Sequence, residues 1–118
     1  MQLTEIAYDS AQPIDGYGPG FFRVGGQVIK GAVLVTAASA KGWDGYEDQG
    51  PLLALKDQID VLILGTGRMI AHPPASLRKA LEDAGIGVEP MDSPAACRTY
   101  NILLSEGRRV AVALLPVT

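Results

Sequence analysis

The sequence predicts an α/β domain of three layers built on a central mixed β-sheet, and three observations predict it. Residues 61–64 (VLIL) and 109–115 are short apolar runs without alternation, as expected of strands covered on both faces. Around the run at 86–89, Leu77, Ala80, Leu81 and Ala84, then Ala96, Tyr100, Leu103 and Leu104, recur at helical spacing. Strand, helix, strand, helix, strand with short joints is the order of right-handed parallel crossovers. Upstream, Gly25-Gly26 separates two short runs, 21–24 and 27–30. Paired glycines tolerate positive φ at both central positions of a two-residue hairpin. That hairpin and a further apolar strand at 32–36 precede the parallel half, so the sheet is expected to be mixed.

Each element has a local reason. Residues 1–20 carry Pro13, Gly16, Gly18, Pro19 and Gly20, turn chemistry that predicts an irregular arm over 1–14 and at most one short strand. Gly31 interrupts the run after 27–30 and predicts a bulge or bend. Residues 37–50 read as a long surface connection. It holds Trp43, which either packs against the sheet edge or contacts a ligand or partner. Pro51 suits the first turn of a short helix reaching Asp57. Pro74 opens the clearest helix, and Gly85 followed by Ile86 predicts a Schellman ending with Ile86 against Leu81. Asp92 or Ser93 caps the second long helix, with Pro94 in its first turn and Gly107 at its end.

Composition narrows the function classes. The 118 residues suffice for one domain, 1–118, with a real core and no staples. Ten Lys and Arg against thirteen Asp and Glu give a net charge of -3 with no basic run, which argues against nucleic acid. A single cysteine forbids an intramolecular disulfide and fits a reducing compartment. The first twenty residues lack a basic start and a long apolar stretch, so no signal peptide is expected. No apolar run approaches the roughly 20 residues of a membrane helix. A cytoplasmic protein that does not span the membrane is expected.

The candidate site lies at two strand ends. Gly65-Thr66-Gly67 follows VLIL, but the third glycine of a dinucleotide fingerprint would fall on Ile70, and Pro73-Pro74 delay the helix. The turn reads as a close backbone passage or as a small anion pocket with exposed N–H groups. Arg68 and Arg98 sit just past strand ends, and the helix start at Ser93 adds a positive dipole end. Arg98 either grips a carboxylate in two-pronged fashion or pairs with Glu89, Asp92 or Glu106. Cys97, in the first turns of that helix, reads as a small buried filler or as a thiol paired with His72, the only histidine. One cysteine and one histidine make no zinc pattern. Asp44, Glu47 and Asp48 read as a solvated face. Tyr100 reads as core and Asn101 as bonding nearby backbone. The ligand candidates are therefore Gly65, Thr66, Gly67, Arg68, Ser93, Cys97 and Arg98. No catalytic set, metal or cofactor is expected.

The stretch VEPMDSPAACRTYNILLSEGRRVAVALLP, with VLILGTG and Trp43 upstream, resembles the Mth-type domain of unknown function over about residues 15–116. That family has a mitochondrial branch acting in complex I assembly and adipogenesis-associated relatives. Ser93 stands where the family pattern suggests threonine, a change that keeps the capping hydroxyl. The resemblance implies a three-layer α/β fold with an extra β element, no assumed enzymatic activity, and protein partners, including those of an inner-membrane complex. With no mitochondrial presequence, the chain reads as bacterial. Two functions compete: a non-enzymatic interaction or assembly domain, and a small-anion-binding domain or cryptic enzyme at the Gly65–Gly67 and Ser93–Arg98 crevice.

Overall fold

In the computed structural model, which describes residues 13–118, the unalternating runs become neighbouring parallel strands. In chain order the described elements are β1 (Ile14–Gly18), β2 (Phe21–Val24), β3 (Gln27–Lys30), β4 (Val33–Val35), β5 (Ala40–Gly42), α1 (Gly50–Leu53), β6 (Val61–Thr66), α2 (Ala75–Asp83), β7 (Gly87–Met91), α3 (Ser93–Ser105) and β8 (Val110–Leu115). Of the arm expected over 1–14, residues 1–12 lie outside the described residues, and Ile14 already belongs to β1.

The main sheet has the order β5-β4-β8-β6-β7. β6 is parallel to both β7 and β8, whereas β4 is antiparallel to β8 and to β5, which makes the sheet mixed. From β6 the chain steps outward to β7, then back across β6 to β8. Two right-handed crossovers in opposite directions place their helices on opposite faces. Alternation along the strands splits the core accordingly. Ile63, Val112 and Leu114 pack with Ala96, Cys97 and Tyr100 of α3 and with Phe22 and Val24 of β2. Leu62, Leu64, Ala111 and Ala113 pack on the other face with Leu77 and Leu81 of α2, Leu52 of α1 and Trp43.

The hairpin forms as its glycines require, with Gly25 at φ +56° and Gly26 at φ +83° and Val24 facing Gln27. It does not extend the main sheet. With β1 it makes a separate three-stranded sheet, β1-β2-β3, on the α3 face. Gly31, at φ +81°, turns the chain between the two sheets, and its N–H donates to the Gly20 carbonyl at 2.8 Å. Asn101 of α3 holds this sheet in place. Its Oδ1 accepts from Ile14 N at 2.8 Å and its Nδ2 donates to Ile14 O at 2.9 Å. The side chain thus binds backbone far away in sequence, not its own neighbourhood.

Three other expectations need correction. The connection at 37–50 contains the edge strand β5, which pairs with β4 after a turn tied by Thr36 and Ser39. The helix opened by Pro51 ends at Leu53 as a single turn, and Asp57 takes a left-handed φ of +69°. The strand expected at 86–89 runs from Gly87 to Met91, because Ile86 is consumed by the end of α2. There Ile86 N donates to Leu81 O at 2.9 Å and Gly85 N to Glu82 O at 3.0 Å, with Gly85 at φ +85°, the Schellman geometry. Trp43 is buried, donates from Nε1 to Asp48 O at 3.0 Å and meets Tyr46 edge to face.

Candidate functional site

The Gly65 turn and the start of α3 meet at the carboxyl ends of β6, β7 and β8. Gly65 faces Met91 on one side and Leu114 on the other. A Cβ on Gly65 would stand 2.7 Å from Ser93 Oγ and 2.5 Å from Leu114 Cδ2, so only glycine lets α3 approach this closely. Ser93 is fully buried. Its Oγ accepts from Gly67 N at 2.9 Å and donates to Leu115 O at 2.6 Å, while its N–H donates to Gly67 O at 2.7 Å. Thr66 secures the following loop: its Oγ1 lies 2.7 Å from Met69 O and 3.2 Å from Met91 O, and accepts from Ala71 N at 3.1 Å.

The backbone donors at the mouth of α3 are spent within the chain. Asp92, the residue before Ser93, is the helix cap, and its Oδ1 accepts from Ala95 N at 2.8 Å. Ala96 N donates to Asp92 O at 2.9 Å, Pro94 has no N–H, and Ser93 N is bound to Gly67. A carboxylate of the protein itself therefore sits at the positive end of α3. Arg68 and Arg98 are exposed, and neither forms an ion pair among the described residues. The pairing of Arg98 with Glu89, Asp92 or Glu106 is not formed; Glu106 lies 3.9 Å from Arg108 instead.

Cys97 is buried against the α3 face of the sheet, and burial pushes its thiol up to about 11, against the smaller lowering by Arg98 and backbone. His72 is exposed and lines a groove with Arg78 of α2, the helix on the opposite face. The thiol–imidazole pair is thus not assembled. Tyr100 is fully buried, its hydroxyl has no hydrogen-bond partner, and burial pushes it up to about 12. Among the described residues, no group of three or more His, Cys, Asp or Glu is placed to hold a metal ion. No described helix is long and apolar enough to cross a membrane.

Sequence reasoning overlooked the groove beside the loop after β6. It has a volume of about 290 Å³ and is lined by Ile70, Ala71, His72, Arg78 and Pro90. Ile70, one of its lining residues, and the preceding Met69 are 67% and 74% exposed. A signal was present: a Met-Ile pair between Gly67 and Pro73-Pro74, in a position no core periodicity explains. A second hollow, about 210 Å³, lies at the opposite strand ends beside Thr36, Ile59 and Arg109. Its Arg109 is already held by Asp60 at 3.4 Å and by the Asp57 carbonyl at 3.1 Å.

Residues 14–115 match the family described as Protein of unknown function (DUF498/DUF598). The chain belongs to this DUF498 family. It is 50% identical over 117 residues to an uncharacterized protein of Rhodobacter capsulatus, covering 99% of this chain and 94% of that one. It is also 34% identical over 110 residues to NADH dehydrogenase (ubiquinone) 1 alpha subcomplex assembly factor 3 of Danio rerio. That match covers 87% of this chain and 63% of the fish protein, so the chain spans less than two thirds of that relative. Among solved structures, a Bordetella pertussis protein described as a Mth938-like domain superposes with a TM-score of 0.76 at 28% identity, covering 98% of this chain and 92% of that one. The DUF498 chain thus has the mixed α/β fold of Mth938-like domains, in agreement with the resemblance seen in its sequence.

Proposed function

We propose that this DUF498 chain is a non-enzymatic protein-interaction domain that serves as a bacterial assembly factor for respiratory complex I. The observation that carries this reading is the similarity to the assembly factor of Danio rerio across 87% of the chain. The chemistry of the rim supports it. The Ser93 hydroxyl, the first-turn N–H groups and the Cys97 thiol are turned inward or already bonded, so they serve packing better than reaction. The working place is the cytoplasmic side of the inner membrane, with the chain binding there through protein partners.

The test is capture of a tagged chain, cross-linked in living cells, from native bacterial membranes. The expected result is specific recovery of an NADH dehydrogenase subunit or of a second assembly protein, and less assembled NADH dehydrogenase on native gels when the gene is deleted. Recovery of background alone, with normal assembly in the deletion, overturns the reading.

A second reading keeps the rim as a small-anion site using Gly65, Thr66, Gly67, Arg68, Ser93, Cys97 and Arg98. The observation that favours it is the two exposed arginines without ion-pair partners among the described residues. It requires phosphate or carboxylate metabolites to raise the melting temperature and Arg98→Ala to abolish the rise. An unchanged rise in that variant removes it.

A further inference from the structure

We propose that the Met69-Ile70 loop and the groove beside it form the docking surface for an acidic, apolar segment of a partner protein. The inference rests on the interaction reading above and names its surface. Met69 and Ile70 are the two most exposed large apolar side chains described, and they are consecutive. Side chains of this kind gathered beside a concavity mark a binding site more often than a neutral surface. The loop is held in one shape: Thr66 Oγ1 ties both Met69 O and Ala71 N, and a buried Pro73 and Pro74 end it. A preformed loop loses little further conformational freedom on binding.

The charge of the surroundings selects the occupant. From residue 61 to residue 81 there is no Asp or Glu, in a chain with thirteen of them against ten Lys and Arg. The groove lining is apolar apart from His72 and Arg78, and the exposed Arg68 adjoins Met69. Glu82 binds one edge of Arg78, at 3.2 Å, through an exposed pair of the kind that solvent weakens. A segment with carboxylates flanking a large apolar side chain complements this surface, and a basic one does not.

The edge strand beside the groove shapes the mode of recognition. Pro90 of β7 offers no N–H, and the Val88 carbonyl already accepts from Arg78 Nη2 at 3.3 Å. Addition of a strand to β7 is blocked at these points. The partner is held instead by a side chain set into the groove between Ile70 and Pro90, with its carboxylates toward the arginines. A bilayer would bury the tip but leave this concavity unfilled.

Random dodecapeptides displayed against the wild-type chain, without selection on any variant, test the proposal. Selected peptides are then measured by fluorescence anisotropy at two salt concentrations. The expected consensus has one large apolar residue flanked by Asp or Glu. Its affinity falls with salt, falls by at least about tenfold in Ile70→Asp, and falls in Arg68→Glu. Both sites are exposed; a melting curve checks folding, and Met69→Ser/Ile70→Ser replaces any variant that unfolds. No consensus, a basic consensus, or equal affinity for Ile70→Asp overturns the proposal. So does preferential binding to phosphatidylglycerol vesicles, or concentration-dependent self-association abolished by Ile70→Asp. Membrane capture separates the two levels. The same partner recovered by wild type and by Ile70→Asp removes this surface and leaves the interaction reading standing. Recovery by neither removes the interaction reading itself.

Discussion

Ser93, itself fully buried, joins the turn after β6, α3 and the end of β8 through its hydroxyl, so its replacement carries a defined cost. Ser93→Ala leaves the buried Gly67 N–H and the part-buried Leu115 carbonyl without this partner and should lower unfolding stability by about 1–3 kcal/mol, read from urea midpoints. Gly65→Ala forces a Cβ against Ser93 Oγ and Leu114 and should cost about 1–3 kcal/mol by the same measurement. Tyr100→Phe should do the opposite of most core changes. Its hydroxyl is buried without a partner, so removing it should leave stability unchanged or raise it by about 1 kcal/mol. Cys97 and Tyr100 also set an alkaline limit. Burial raises the thiol from 9.0 to about 11 and the phenol from 10.0 to about 12, so the folded state holds both protons more tightly than the unfolded chain. Their contribution is complete below pH 9 and disappears as the pH rises through 11 and 12; urea midpoints should decline over that window and Cys97→Ala should soften the decline. At this scale the sequence announced the close passage at Gly65 and a cap at Asp92 or Ser93. It did not announce that Ser93 would turn away from its helix into the sheet, because the same residue serves equally well as an open donor until the neighbouring strands are known.

The two long helices, α2 and α3, were legible because their signals are local. Leu77 and Leu81 recur on one face, and Gly85 and Ile86 close α2 with bonds inside a six-residue span. Gly85→Ala, at φ +85°, should destabilise the protein by about 1 kcal/mol without moving its fold, as judged by circular dichroism and urea titration. β5 was not legible. Ala-Lys-Gly has neither alternation nor branched side chains, and it is a strand only because β4 lies beside it. The hairpin was readable as a hairpin but not as a separate sheet, since that depends on the bend at Gly31 and on Asn101 reaching Ile14. Asn101→Ala removes both of those bonds and should cost about 1–3 kcal/mol. Hydrogen exchange should quicken first in β1, which checks that the loss is local.

For the molecule as a whole, the change of direction after β7, which carries the chain back across β6, decides which residues can meet. It places α2 and α3 on opposite faces, so Cys97 and His72 are divided by the sheet although both follow the same row of strand ends. The parallel half was foreseeable from its rhythm of runs and helices. Strand order was not, because it follows from which apolar runs pair across the sheet rather than from any one of them. That order has an outcome for biosynthesis. β8, which follows the other four strands of this sheet in the sequence, occupies the middle of the five, flanked by β4 and β6. A nascent chain halted before residue 110 would carry Val33–Val35 and Val61–Thr66 as bare flanks with no neighbour to seal them. The sheet can close only once β8 has emerged from the ribosome, and until then the growing polypeptide depends on chaperones or speed to escape clumping.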